Sequence, residues 1–256
     1  MVYNFQMVRE RDTDIGGSRT AFPGTKLSVI AGLRHKEEQI RIRAWETLTN
    51  LYWKPVYKYI RIKWNKSNED AKDLTQGFFA RSMEKSFFDS YTPEKAKFRT
   101  FLRTCLDGFI ANEQKAAQTK KRGGETSLIS LDFPGAENEL VGIPQTASPE
   151  QVFEKDWIRN LFHIALETLR TECENNGKKI YYLLFEKYDI DPEPNGAPSY
   201  KDLAAEFGIS VADVTNYLAY ARKEFRRIVL NKLREVTASE EEFRSDAQQI
   251  LGFKIE

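Results

Sequence analysis

Ser67-Asn68-Glu69-Asp70-Ala71-Lys72-Asp73-Leu74-Thr75-Gln76-Gly77-Phe78-Phe79-Ala80-Arg81-Ser82-Met83-Glu84 carries the signals of one amphipathic helix. Ser67 followed three residues later by Asp70 makes a near capping box, a hydroxyl for backbone N–H groups and a carboxylate at the third helical position. Ala71, Leu74, Thr75 and Phe78 recur at steps of three and four, which predicts a buried stripe. Asp73, Gln76, Gly77, Ala80 and Glu84 fall on the opposite face. A glycine inside a helix costs about 1 kcal/mol against alanine. Gly77 among small and polar neighbours therefore suits the close approach of a partner helix, with an ordinary solvated face as the plain alternative.

Tyr91-Thr92-Pro93 breaks that helix, and a second is predicted from near Lys97. Its buried face is expected at Phe98, Phe101, Leu102, Cys105 and Phe109. Arg99 and Arg103, four apart, are expected together on another side. Lys120-Lys121-Arg122 place cations on the C-terminal dipole before the Gly123-Gly124 stop. From Lys95 to Arg122 there are eight Lys or Arg against Asp107 and Glu113 alone. Basic residues interleaved with aromatic ones suit phosphate contacts and stacking on unpaired bases.

The run Glu69 to Arg81, then Phe98-Arg99-Thr100-Phe101-Leu102, then Lys121-Arg122-Gly123-Gly124, resembles bacterial RNA polymerase sigma factors, most of all the extracytoplasmic-function group. The resemblance implies that the first helix docks on the polymerase's largest-subunit coiled coil through Asp70, Asp73, Gln76, Phe79, Ala80 and Glu84. It implies that the loop and basic helix take the minus-ten promoter element through Lys95, Lys97, Phe98, Arg99, Arg103, Lys115, Lys120, Lys121 and Arg122. Phe101 stands where the family favours Trp and Gly108 where it often has Asn, which bears on promoter sequence more than on function.

The chain has 256 residues, 41% hydrophobic and 30% charged, with a net charge of +1. That length holds two domains with their own cores. The near-zero charge leaves only local clusters to suggest nucleic acid. Alternating β-branched runs are nearly absent, so the expected class is all-α. Cys105 and Cys173 lie on apolar helical faces and read as buried thiols of a reducing compartment. His35 and His163 lack neighbours at zinc-ligand spacing. No cofactor is expected, and no catalytic constellation is visible. No apolar run reaches the length of a membrane span and no signal-peptide core stands at the N-terminus, so a cytoplasmic protein without a membrane partner is expected.

Residues 1–20 read as a loose arm. A domain over 21–122 follows, with a long helical region interrupted near Arg34-His35. Its second part runs from about Glu37 to Trp64, with a kink expected at Pro55 and a packed aromatic group at Tyr52, Trp53, Tyr57, Tyr59 and Trp64. Residues 123–148 are rich in Gly, Pro, Ser and Asn, and Glu125, Asp132, Glu137 and Glu139 are their only charges. They read as an acidic, flexible linker. In the resemblance such a linker threads towards the polymerase active centre and partly imitates RNA.

Ser148-Pro149-Glu150-Gln151 restarts helix in a second domain, 149–236. Val152, Trp157, Leu161, Ile164, Ala165 and Leu169 give its first buried stripe. A helix over about 178–188 and a proline-rich loop over 191–198 come next. Ser199 with Asp202, and Ser210 with Asp213, are two capping boxes around Phe207-Gly208-Ile209, a spacing that predicts a helix-turn-helix. Val214, Leu218, Ala221, Phe225 and Ile228 should face inward, leaving Asn216, Tyr220, Lys223 and Arg227 outward. The resemblance makes this the module that reads the minus-thirty-five element, with Ser210, Thr215, Asn216, Tyr217, Tyr220, Lys223 and Arg227 at the DNA. The shortage of cations early in that helix is a departure from the family.

Residues 237–256 form an extension with Phe243, Ala247, Ile250 and Leu251 inward, expected to cap the second domain. Core RNA polymerase, through its coiled coil and flap, and promoter DNA are the implied partners, with an anti-sigma factor or a DNA-targeting partner as a further one. The rival readings are a helix-turn-helix regulator acting without polymerase and a helical protein-binding adaptor.

Overall fold

Seven residues with short polar side chains decide where most helices begin. Ser28, Ser67, Asp132, Ser148, Ser199, Ser210 and Ser239 each stand one residue before a helix and accept a hydrogen bond from the backbone N–H three residues on. Each such cap is worth about 1 kcal/mol. The computed structural model describes residues 28–119, 131–144, 146–191 and 198–252. Among them are ten α-helices and no strand. In order they are α1 (Val29–Gly32), α2 (Glu38–Lys63), α3 (Asn68–Glu84), α4 (Phe98–Thr119), α5 (Phe133–Asn138), α6 (Pro149–Asn175), α7 (Lys179–Phe185), α8 (Tyr200–Phe207), α9 (Val211–Val236) and α10 (Glu240–Leu251). The expected arm over 1–20, the basic end Lys120 to Arg122, and most of the proline-rich loop lie outside the described residues.

The chain divides into two compact units, one of Leu27–Glu167 with Arg227–Glu256, the other containing Thr168–Arg226. The division does not fall at the expected linker. The front of α6 and all of α10 belong with α2, α3 and α4.

In the larger unit α2 is the central element, and Tyr52, Trp53, Tyr57 and Tyr59 are all buried. Phe98, at the start of α4, meets Tyr52, Phe88 and Tyr91 edge-on at centroid distances of 6.0, 5.3 and 5.1 Å. α2 runs through Pro55 without ending. Proline offers no N–H to the carbonyl four residues back, and Asn160 of α6 supplies a donor to that carbonyl, Leu51 O, at 2.8 Å.

Two expectations are corrected in this unit. The described part of the acidic linker, from residue 131 on, has structure, while its residues 123–130 lie outside the described ones: α5 lies against α2, with the Phe133 ring 5.4 Å from Trp53 and 5.2 Å from Tyr57. Burying Phe133 is worth about 1.5–3 kcal/mol, and the pairs Arg61–Glu137 and Lys58–Glu139 add to it in holding a segment that composition alone marks as loose. The C-terminal extension does form a helix with Phe243, Ala247 and Leu251 buried; it touches the end of α9, where Arg234 pairs with Glu240 and lies over the Phe243 ring, and it also meets α4, because Asp246 pairs with Lys97 and Arg99.

In the smaller unit the α9 stripe is as expected, with Val214, Leu218, Ala221 and Phe225 buried. Gly208 ends α8 in the left-handed region at φ 66°, where a side chain would be strained. Phe185 of α7 lies 5.4 Å from Phe225 of α9. Beyond α7 the helix widens into one π-helical turn, Glu186–Ile190, and Asp189 takes both donors of Arg222 at 3.0 Å.

Candidate nucleic-acid and partner interfaces

The outer face of α3 is acidic and open. Asp70, Asp73 and Glu84 are exposed, and Gln76 and Ala80 are half-exposed. Phe79, expected on this face, is buried against Phe78 at 5.4 Å. Gly77 also differs from expectation. A Cβ there would meet Phe109 Cζ of α4 at 3.5 Å, an ordinary contact, so Gly77 looks onto α4 rather than out to a partner.

The start of α4 departs furthest from its expected role. Lys95 and Lys115 are exposed, but Phe98 is in the core and Arg99 is only 4% exposed. Arg99 and Arg103 do share a face, and α6 covers it. Glu154 accepts from Arg99 Nε at 2.6 Å and from Arg103 Nη1 at 2.9 Å. The guanidinium of Arg99 lies 4.5 Å from the Trp157 ring and that of Arg103 5.2 Å from Phe153, stacked contacts that favour a cation in a desolvated place. From α10, Asp246 accepts from Arg99 Nη1 at 2.5 Å and Nη2 at 2.9 Å, and from Lys97 Nζ at 2.5 Å. Burial opposes the charge on Arg99, but the bonds to Asp246 outweigh it and hold the guanidinium above its ordinary pKa. Glu242 is pushed up, chiefly by its own burial.

A second buried charge cluster joins α2, α5 and α6. Lys58 is 1% exposed and donates to Asp156 and to Glu139, the latter at 2.5 Å. Arg159 reaches Glu139 at 3.2 Å, and Arg61 holds Glu137 at 2.5 Å. Desolvation raises Asp156 in spite of Lys58. Glu137 is lowered, first by its hydrogen bond from Arg61. Glu137 and Glu139, read as linker charges, are thus counterions of α2.

In the smaller unit Ser210 and Asp213 form a complete capping box: Asp213 N donates to Ser210 Oγ and Ser210 N to Asp213 Oδ2, each at 3.1 Å. Thr215, Asn216 and Lys223 are exposed along α9, as is Arg227, the first residue of α9 that belongs to the larger unit. The two tyrosines are engaged locally. Tyr217 stacks on Tyr181 at 3.9 Å, and Lys178 Nζ stands 3.9 Å above the Tyr220 ring.

Sequence reasoning missed Glu154, Glu242 and Asp246 as partners of the basic helix. The signal available was a carboxylate pair four apart on α10, each one residue before an apolar position, Phe243 and Ala247. Among the described residues no group of three or more His, Cys, Asp or Glu could hold a metal ion, and no helix is long and apolar enough to cross a membrane. No family model, no curated protein and no solved structure matches this chain.

Proposed function

We propose that the chain is a cytoplasmic, non-enzymatic sigma-like initiation factor that binds core RNA polymerase through α3 and promoter DNA through α4 and α9. The observation that carries the reading is the row Asp70, Asp73, Gln76, Ala80 and Glu84, left outward on a helix whose opposite side, Ala71, Thr75 and Phe78, is buried. The row suits a partner helix bearing cations. Support also comes from α8 and α9, two capped helices about Gly208, as a helix-turn-helix requires.

Capture of core RNA polymerase by the purified chain tests the reading. Ala80→Arg should abolish capture while helicity is unchanged; equal capture by the variant would sink it. The burial of Phe98 and Arg99 favours a second reading, a helix-turn-helix regulator acting on duplex DNA alone. That protein would bind DNA and capture no polymerase.

A further inference from the structure

We propose that α10 is an intramolecular cover over the basic start of α4, and that the phosphates of single-stranded nucleic acid displace it. This rests on the reading of α4 as a nucleic-acid contact and adds the element that regulates it. Both terminal nitrogens of Arg99 point at α10, 2.5 and 2.9 Å from the oxygens of Asp246. Lys97 Nζ lies 2.5 Å from the same carboxylate and 3.3 Å from Ser245 Oγ. Glu242, one turn earlier, accepts from the Phe98 N–H at 3.3 Å. One helix thus brings two carboxylates to the place where a guanidinium fork, an ammonium and a helix N–H converge. A phosphate is bound by those same groups.

The contact is built to be exchanged. Buried ion pairs contribute little net stability, because desolvation offsets their attraction. Replacing the Asp246 carboxylate by a phosphate therefore changes the partner without leaving a bare cation. α10 has 12 residues, a length at which an isolated helix is marginal, so a displaced α10 gains chain entropy. Arg99 stays in position meanwhile, since α6 holds its Nε through Glu154 at 2.6 Å and its plane against Trp157. Phe243 and Ala247, both buried, keep the cover closed in the free chain.

The test uses the full chain and a fluorescent oligothymidylate. Glu242→Gln with Asp246→Asn should tighten binding by about tenfold and steepen its salt dependence by about one phosphate contact. Arg99→Ala added to that pair should remove the gain. In the wild-type chain, saturating oligothymidylate should speed amide hydrogen exchange across residues 240–251, a measurement that needs no variant. Equal affinity of wild type and the folded carboxylate variant, unchanged protection of α10 with oligonucleotide bound, or no binding by any form would each overturn the proposal. Polymerase capture is scored separately. Its loss beside an intact cover result removes the polymerase reading alone, and its presence beside a failed cover result removes the cover alone.

Discussion

Asn160 gives its side-chain amide to Leu51 O, the carbonyl that Pro55 cannot serve, at 2.8 Å. The same nitrogen reaches Asn50 O, also at 2.8 Å. A proline in the middle of a 26-residue helix would ordinarily break or kink it at a cost of about 3 kcal/mol. Here a side chain more than a hundred residues later satisfies the freed acceptor, so α2 and α6 are tied by the defect itself.

Asn160→Ala should therefore lower unfolding free energy by about 1–3 kcal/mol, the cost of an unpaired buried polar group. In a Pro55→Ala background, where residue 55 regains its N–H, the same substitution should cost clearly less. Urea unfolding of the four proteins measures the difference, and equal losses would assign Asn160 another role.

Lys58 is the next test. Lys58→Ala leaves the buried Asp156 with only the longer contact from Arg159 Nη1 at 3.4 Å, and breaking a buried pair typically costs about 3–5 kcal/mol. Replacing both members, as Lys58→Met with Asp156→Leu, should recover most of that loss. A single-variant loss below about 1 kcal/mol, the worth of an exposed pair, would mean that water reaches the site.

Acid should weaken the start of α9. The hydroxyl and N–H of Ser210 bind the Asp213 carboxylate and hold it below the ordinary aspartate value of 3.8. The unfolded chain then takes up the proton first, so the stability the box adds is present above 3.8 and is lost as pH falls through the lowered value. Glu242 has the opposite sign. Burial raises it above 4.5, so the folded chain keeps a proton longer and stability declines as pH rises through that window. Unfolding measured across pH should show a flatter acid limb for Asp213→Asn and the loss of the higher-pH decline for Glu242→Gln.

On the proposed function, upstream promoter reading should be weak. Tyr217 is stacked on Tyr181 and Lys178 covers Tyr220, which leaves Thr215 and Asn216, with Lys223 two turns further on, as the exposed polar side chains of α9 up to that point. Each lost bidentate base contact forfeits about 1–3 kcal/mol of discrimination. Scrambling the minus-thirty-five element in a purified transcription assay should cost a few fold; a hundredfold loss would show strong autonomous reading.

Local chemistry was legible in the residues. Ser67, Ser148, Ser199 and Ser210 announce helix starts because a capping hydroxyl acts on N–H groups within its own turn. Val214, Leu218 and Ala221 announce a buried face because helical periodicity is fixed by the backbone. The open face of α3 followed from the same rule, except at Phe79, which is buried, and Gly77, which faces Phe109 of α4.

What sequence could not decide is which neighbour each face would meet. Arg99 and Arg103 have the spacing of an exposed basic pair, and Glu137 and Glu139 the composition of a solvated tether. Only the return of α6 and α10 to the front half of the chain supplies Glu154 and Asp246 to the arginines, and only the seating of α5 against α2 brings Glu137 and Glu139 to Arg61 and Lys58. A charged side chain is stable in water or against an opposite charge, and its own residue type does not distinguish the two. That choice belongs to tertiary structure, because the partner lies 51 residues away for Arg103 and 147 for Arg99, beyond the reach of any helical period.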